Sequence, residues 1–335
     1  MLESELIQKL NAVRKGRDLK AMDLLSIEDS SIDEIEMIMD LAEVMQDFLQ
    51  GDMKKIPLMR GKSQINFFME NSTRTRLSFE LAGKNLSADT VNISGSSSSM
   101  SKGETLLDTA VTLDQLKPDV IVMRTDASGG TQFFAKNVQA PVINAGDGRN
   151  EHPTQALLDL FTMRRLLDKN LSGKKMVVVG DVVHSRVFGS LMRIAKMFNI
   201  QVTVAAPHTL VRPNMEAWGV KHEPNIEKAL EGAEIVYVLR LQTERAAAAF
   251  VPTLREYSKT YVINSKRMKL AHPKAIVMHA GPVIRELDIH TNVLETDVSV
   301  VSDQVFSGYC VRAVLLWLFS EKRSKKTVEK RLFKP

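Results

Sequence analysis

The chain has 335 residues, 44% of them apolar, a single cysteine, and 45 Lys/Arg against 40 Asp/Glu. That length can bury two ordinary cores, so two domains are expected, and one cysteine excludes an internal disulfide and a thiolate metal cluster. No apolar run approaches the ~20 residues of a membrane helix, and Met1-Leu2-Glu3-Ser4-Glu5 has neither the basic head nor the apolar centre of a secretory signal, so a cytoplasmic protein without membrane association is expected.

The basic balance is local. Residues 322–335 hold seven Lys/Arg against one Glu, a net of +6, while the whole chain is 45 − 40 = +5, so the rest sums to −1. A short basic tail reads as a solvated end and does not argue for nucleic acid as a partner.

The opening stretch, residues 3–50, reads as helical, with cap-like starts at Ser26-Ile27-Glu28-Asp29 and Ser31-Ile32-Asp33-Glu34. From about residue 63, short β-branched or apolar runs alternate with longer amphipathic ones, which predicts an α/β fold built on parallel sheets. The predicted strands are residues 64–69, 90–93, 120–123, 142–144, 176–179, 201–205, 235–239, 261–264 and 276–278. Gly146-Asp147-Gly148 breaks the chain before a helix starting at Pro153 and reaching about residue 167, and the domain join belongs there. The expected organisation is therefore a first domain over 1–150, a second over 151–300, an apolar helix within 301–320, and a basic tail over 321–335.

Ser72-Thr73-Arg74-Thr75-Arg76 follows an apolar run and opens an amphipathic helical stretch. The first N–H groups of a helix lack intrahelical partners and, with the macrodipole, favour an anion; three hydroxyls and two guanidiniums add charge-assisted donors. Taken alone, such a string is more often an ordinary cap carrying solvated arginines. Val177-Val178-Val179-Gly180-Asp181 lacks the Gly-x-Gly-x-x-Gly of a dinucleotide site.

In its context, Phe67-Phe68-Met69-Glu70-Asn71 before and Leu77-Ser78-Phe79-Glu80 after, the string resembles the carbamoyl-phosphate loop of the aspartate/ornithine carbamoyltransferase family. His152-Pro153-Thr154-Gln155 matches the family's next motif, and the resemblance covers about residues 22–320, leaving the first ~20 as an extension. It implies two similar-sized domains, each a parallel sheet flanked by helices, with the C-terminal helix returning to the first. Carbamoyl phosphate would be bound by Ser72, Thr73, Arg74, Thr75, Arg124, His152 and Gln155, and by the loop Ala280, Gly281, Pro282. Ser98 and Lys102, from the Ser/Lys-rich loop after residue 95, would enter a neighbour's site, so the resemblance implies a homotrimer with shared sites. Arg74, Thr75, Lys102, Arg124 and His152 carry the expected catalysis.

His184-Ser185-Arg186-Val187 and Arg240-Leu241-Gln242-Thr243-Glu244-Arg245 resemble the motifs of the family's aspartate branch, and the His-Cys-Leu-Pro of the ornithine branch is missing. Arg186, Arg240, Gln242 and Lys102 would then bind L-aspartate, since two carboxylates call for guanidinium forks. The implied reaction is ordered: carbamoyl phosphate binds, aspartate follows, and its amine attacks the carbonyl carbon to give N-carbamoyl-L-aspartate and phosphate, an early step of pyrimidine biosynthesis. Neither a cofactor nor a metal is implied; a regulatory chain or a dihydroorotase is a possible partner. Four residues depart from the family pattern: Thr125, Asp126, Ala280 and Ile284. They keep two rivals open, transfer to another amino acid and a non-catalytic ligand-binding or assembly subunit.

Overall fold

The computed structural model describes residues 3–52, 54–95, 103–242 and 253–323. The chain forms two units, Met1–Phe161 with Ser307–Pro335, and Thr162–Phe306. Each is a parallel sheet flanked by helices.

In chain order the first unit holds α1 (Glu3–Arg14), α2 (Ile32–Leu49), β1 (Ser63–Phe68), α3 (Thr73–Asn85), β2 (Asp89–Ser94), α4 (Leu106–Gln115), β3 (Val120–Thr125), α5 (Gly130–Ala135), β4 (Val142–Asp147) and the start of α6 (Pro153–Leu166). Its sheet runs β2-β1-β3-β4, all parallel. β3 and β4 are apolar runs buried on both faces, as parallel strands covered by helices must be. β2 is the exposed edge. The expected capping boxes are present: Ser26 pairs with Asp29, and Ser31 with Glu34 at the start of α2.

The second unit holds β5 (Lys175–Gly180), α7 (Arg186–Met197), β6 (Gln201–Ala205), β7 (Lys221–His222), α8 (Ile226–Leu230), β8 (Ile235–Leu239), α9 (Leu254–Tyr261), α10 (Ser265–Met268), β9 (Ile276–His279) and α11 (Thr291–Leu294). Its sheet runs β7-β6-β5-β8-β9, again parallel. α12 (Val301–Ser320) returns the chain to the first unit from Ser307 onward. Every residue from Cys310 to Phe319 is buried, so this is a core helix, apolar nearly all round.

Three expectations are corrected. Residues 261–264 are not a strand: Tyr261 ends α9, where it stacks on Tyr257 with ring centroids 5.3 Å apart, and Asn264 caps α10. Packing of the two rings on one helix face overrides the β propensity of Tyr-Val-Ile. The two-residue strand β7 has no counterpart among the predicted runs. The opening stretch is not continuously helical, because Leu24 forms a parallel bridge with Ile143, donating to Val142 O and accepting from Asn144 N.

α1 is tied to the end of the described chain. Arg14 lies 5.4 Å over the Trp317 ring and bonds Glu321, while the buried Lys322 ammonium bonds Asp18 and the Leu19 carbonyl. Among the described residues no helix is long and apolar enough to cross a membrane.

Candidate active site

In the first unit the candidate residues gather at the C-terminal ends of neighbouring strands, where open α/β sheets bind ligands. β1 ends at Phe68, in register with Arg124 near the end of β3, and Met69 N–H donates to the Arg124 carbonyl. Ser72 then opens α3 at the N-cap position with extended backbone, but its side chain makes no capping bond. The first-turn N–H groups therefore receive no acceptor from Ser72, unlike those of α2 or α4. Thr73 and Arg74 are exposed on that turn and Thr75 is buried.

Arg124 is held in place by a residue that sequence reasoning passed over. Its Nε donates to Glu70 Oε2 at 3.2 Å, and both side chains are largely buried, which fixes the plane of the guanidinium at the strand end. Asp126, one of the departures from the family pattern, is exposed to solvent; Thr125 takes the buried place, its Oγ1 accepting from Ala127 N–H. Solvation screens the Asp126 charge.

His152 and Gln155 reach the same edge through a tight turn after β4. The buried Asp147 carboxylate accepts from Gly129 N, Glu151 N, Asn144 Nδ2 and Asn150 Nδ2, at 2.9–3.0 Å. Gly148 has φ +50°, and a Cβ there would lie 2.5 Å from Ser128 Oγ and 2.8 Å from the Asp126 carbonyl, so only glycine closes this turn. The His152 carbonyl accepts from Gln155 and Ala156 N–H as α6 begins, and Gln155 Nε2 donates to the buried Asp159 at 3.0 Å.

The returning helix adds a cation beneath this edge. Arg312 Nη1 donates to Ser78 Oγ at 2.6 Å, and Ser78 Oγ donates to the Thr75 carbonyl at 3.0 Å. Burial pushes the Arg312 guanidinium down to about 9; the Asp159 carboxylate opposes that fall and the Arg124 charge adds to it. Arg312 thus ties α12 to the Thr75 turn and shares Asp159 electrostatically with Gln155.

In the second unit, Arg186 and Arg240 also stand at adjacent strand ends. Gly180, the last residue of β5, is in register with Leu239 of β8, and a Cβ there would lie 2.2 Å from the Leu239 carbonyl. Asp181 follows, fully buried. It accepts from His184 N at 3.0 Å, faces His184 Nδ1 at 2.9 Å, and accepts from Gln242 N at 3.4 Å, so one carboxylate organises the turns that carry both arginines. Arg186 opens α7, capped by Ser185 Oγ, and is nearly buried.

The third loop of this unit follows β9. The Gly281–Pro282 peptide bond is cis. His279 Nδ1 accepts from Gly281 N–H at 2.7 Å while its Nε2 lies 3.2 Å from Asp288 Oδ2, which assigns the proton to Nε2. Asp288 Oδ2 also accepts from Ile284 N–H at 2.8 Å, and Gln304 Oε1 from His279 N–H. The buried His279–Asp288 pair thus fixes the backbone after Ala280, at Gly281 and at Ile284. Ser98 and Lys102 lie outside the described residues. Among the described residues no group of three or more His, Cys, Asp or Glu could hold a metal ion.

Residues 22–165 match the carbamoyl-P binding domain of the aspartate/ornithine carbamoyltransferases, and residues 172–319 match their Asp/Orn binding domain. The chain belongs to the aspartate/ornithine carbamoyltransferase family. Within that family it is 45% identical to the aspartate carbamoyltransferase catalytic subunit of Desulfitobacterium hafniense over 88% of this chain and 95% of that one. The catalytic subunit of Acetivibrio thermocellus is also 45% identical, over 92% and 99%. Among solved structures, aspartate transcarbamoylase from Trypanosoma cruzi in complex with carbamoyl phosphate superposes with a TM-score of 0.81 at 31% identity, covering 89% of this chain and 96% of that one. Ornithine carbamoyltransferase from Thermus thermophilus, at TM-score 0.78 and 24% identity, shares the fold.

Proposed function

We propose that the chain is a catalytic subunit that transfers the carbamoyl group of carbamoyl phosphate to L-aspartate, giving N-carbamoyl-L-aspartate and phosphate in pyrimidine biosynthesis. The observation that carries this reading is the pair of arginines, Arg186 and Arg240, brought to neighbouring strand ends around Asp181. Two guanidiniums match a substrate with two carboxylates; ornithine, with one carboxylate and a side-chain ammonium, would be repelled by the second.

The first unit is assigned carbamoyl phosphate. The α3 turn with Ser72, Thr73, Arg74 and Thr75 takes the phosphate, and Arg124, His152 and Thr75 face the carbonyl oxygen where negative charge develops. Gln155 accepts from the carbamoyl amide, as do the carbonyls of the Ala280-Gly281-Pro282 loop. The aspartate amine attacks the carbonyl carbon, a C–N bond forms, the C–O bond to phosphate breaks, and the departing phosphate takes the amine proton. Gln242 assists the carboxylate arginines.

The subunit is assigned a cytoplasmic homotrimer in which Ser98 and Lys102 complete a neighbour's site. Leu77 and Leu81, one turn apart on α3, and Val91 on the edge strand β2 are about half exposed, an apolar surface beside the phosphate turn that a second copy would cover. A regulatory chain or dihydroorotase would add to this trimer.

The bisubstrate analogue N-(phosphonacetyl)-L-aspartic acid tests the division of labour, since it carries the anionic groups of both substrates. By calorimetry, Arg240→Ala is expected to weaken the analogue about 10- to 100-fold while phosphate alone binds within about twofold of wild type. An equal loss of phosphate affinity would reverse the roles given to the two units.

A further inference from the structure

Arg212 has no place in the motifs that carry substrate, yet its guanidinium spans the turn that presents Arg186. Its Nε donates to the Val182 carbonyl at 2.8 Å and its Nη2 to the Ser185 carbonyl at 2.8 Å. Those two carbonyls bracket residues 182–185, the connection between β5 and α7. The same loop grips the turn a second time, because Val182 N–H donates to the Leu210 carbonyl. The planar head lies 5.5 Å over the Phe188 ring, which in turn stacks on Trp218, so the fork is held flat from one side.

We propose that Arg212 is the positioning residue for Arg186, a two-pronged clamp that holds the β5–α7 turn in the geometry that receives the amino-acid carboxylate.

The electrostatics argue against a role confined to stabilising α7. A cation beside a helix N-terminus opposes the macrodipole, so a residue selected only to strengthen this helix would carry no charge, or a negative one. What arginine offers is a rigid fork that reaches two acceptors at fixed spacing; lysine presents one flexible ammonium and cannot hold both carbonyls in one plane. Inside the turn, Asp181 fixes His184 through its backbone N–H and Nδ1, and Ser185 caps Phe188 N–H. Arg212 closes the remaining freedom from outside. The guanidinium that follows, Arg186, is nearly buried, and a small rotation of the turn would turn its fork away from a carboxylate.

This inference rests on the assignment of Arg186 to the aspartate carboxylate, so the experiment carries Arg186→Ala as its own arm. Steady-state kinetics are measured for Arg212→Ala, Arg212→Lys and Arg186→Ala, each with thermal unfolding and the affinity for phosphate. KM is independent of how much of a preparation is folded, so it separates positioning from loss of fold. Arg212→Ala is expected to raise the aspartate KM on the order of tenfold, with kcat and phosphate affinity within about threefold of wild type. Arg212→Lys should retain most of that rise, because charge without the fork does not restore the clamp, and Arg186→Ala should raise the KM further. An aspartate KM unchanged in Arg212→Ala while Arg186→Ala raises it would overturn the clamp, and so would a lowered melting temperature with an unchanged KM. Full restoration by lysine would show that charge suffices and overturn it equally. An aspartate KM unmoved by Arg186→Ala would instead remove the carboxylate assignment beneath it.

Discussion

Arg74→Ala is expected to lower kcat/KM for carbamoyl phosphate by about 10²–10³ with little change in melting temperature. Arg74 is the second residue of α3 and its side chain is exposed, so truncation leaves no cavity and unburies nothing. Its loss falls on the reaction because phosphate gains charge as the C–O bond breaks, and a fixed guanidinium at a helix N-terminus acts on that charge without reorganising. A surface arginine with no ligand would give a variant within a few-fold of wild type. Pre-steady-state release of phosphate, followed beside circular dichroism of the same samples, distinguishes the two.

The second large effect is a recovery. Lys102→Ala and Arg74→Ala chains are each expected to be inactive alone. A site made of Arg74 from one subunit and Lys102 from the next is intact wherever a Lys102→Ala chain receives the loop of an Arg74→Ala neighbour, and every mixed ring of three contains one such interface. Unfolding and reassembling an equal mixture should therefore restore about a quarter of wild-type activity, the chance that both contributors to a site are the intact ones. Mixed trimers confirmed by mass without recovery would return Lys102 to its own chain.

The residues proposed to touch substrate are mostly carried by short contiguous strings that a sequence displays directly: Ser72 to Thr75, His152 to Gln155, Arg186, and Arg240 to Gln242. Eight of the predicted apolar runs form strands, since a run buried on both faces reads the same in sequence as in the sheet. What failed was decided by contacts distant in the chain. Leu24 leaves helix to pair with Ile143, more than a hundred residues away, and Tyr261 follows Tyr257 into α9.

The supporting residues were illegible for the same reason. Glu70 orients Arg124 across 54 positions, and Arg212 closes on Val182 from 30 residues downstream. Each is an ordinary polar residue until the fold supplies its partner. Asp288 is a further case: its buried carboxylate, with His279, fixes the loop around Ala280 through bonds that no local string displays.

The most direct measurement offers carbamoyl phosphate, ¹³C-labelled at its carbonyl, to the folded protein with L-aspartate, L-ornithine and other amino acids in separate reactions, and identifies the labelled product by NMR while phosphate is counted. The label should appear on N-carbamoyl-L-aspartate in step with phosphate, with no transfer to ornithine; transfer to ornithine or to another amino acid in preference to aspartate, or no transfer at all, would contradict the assignment.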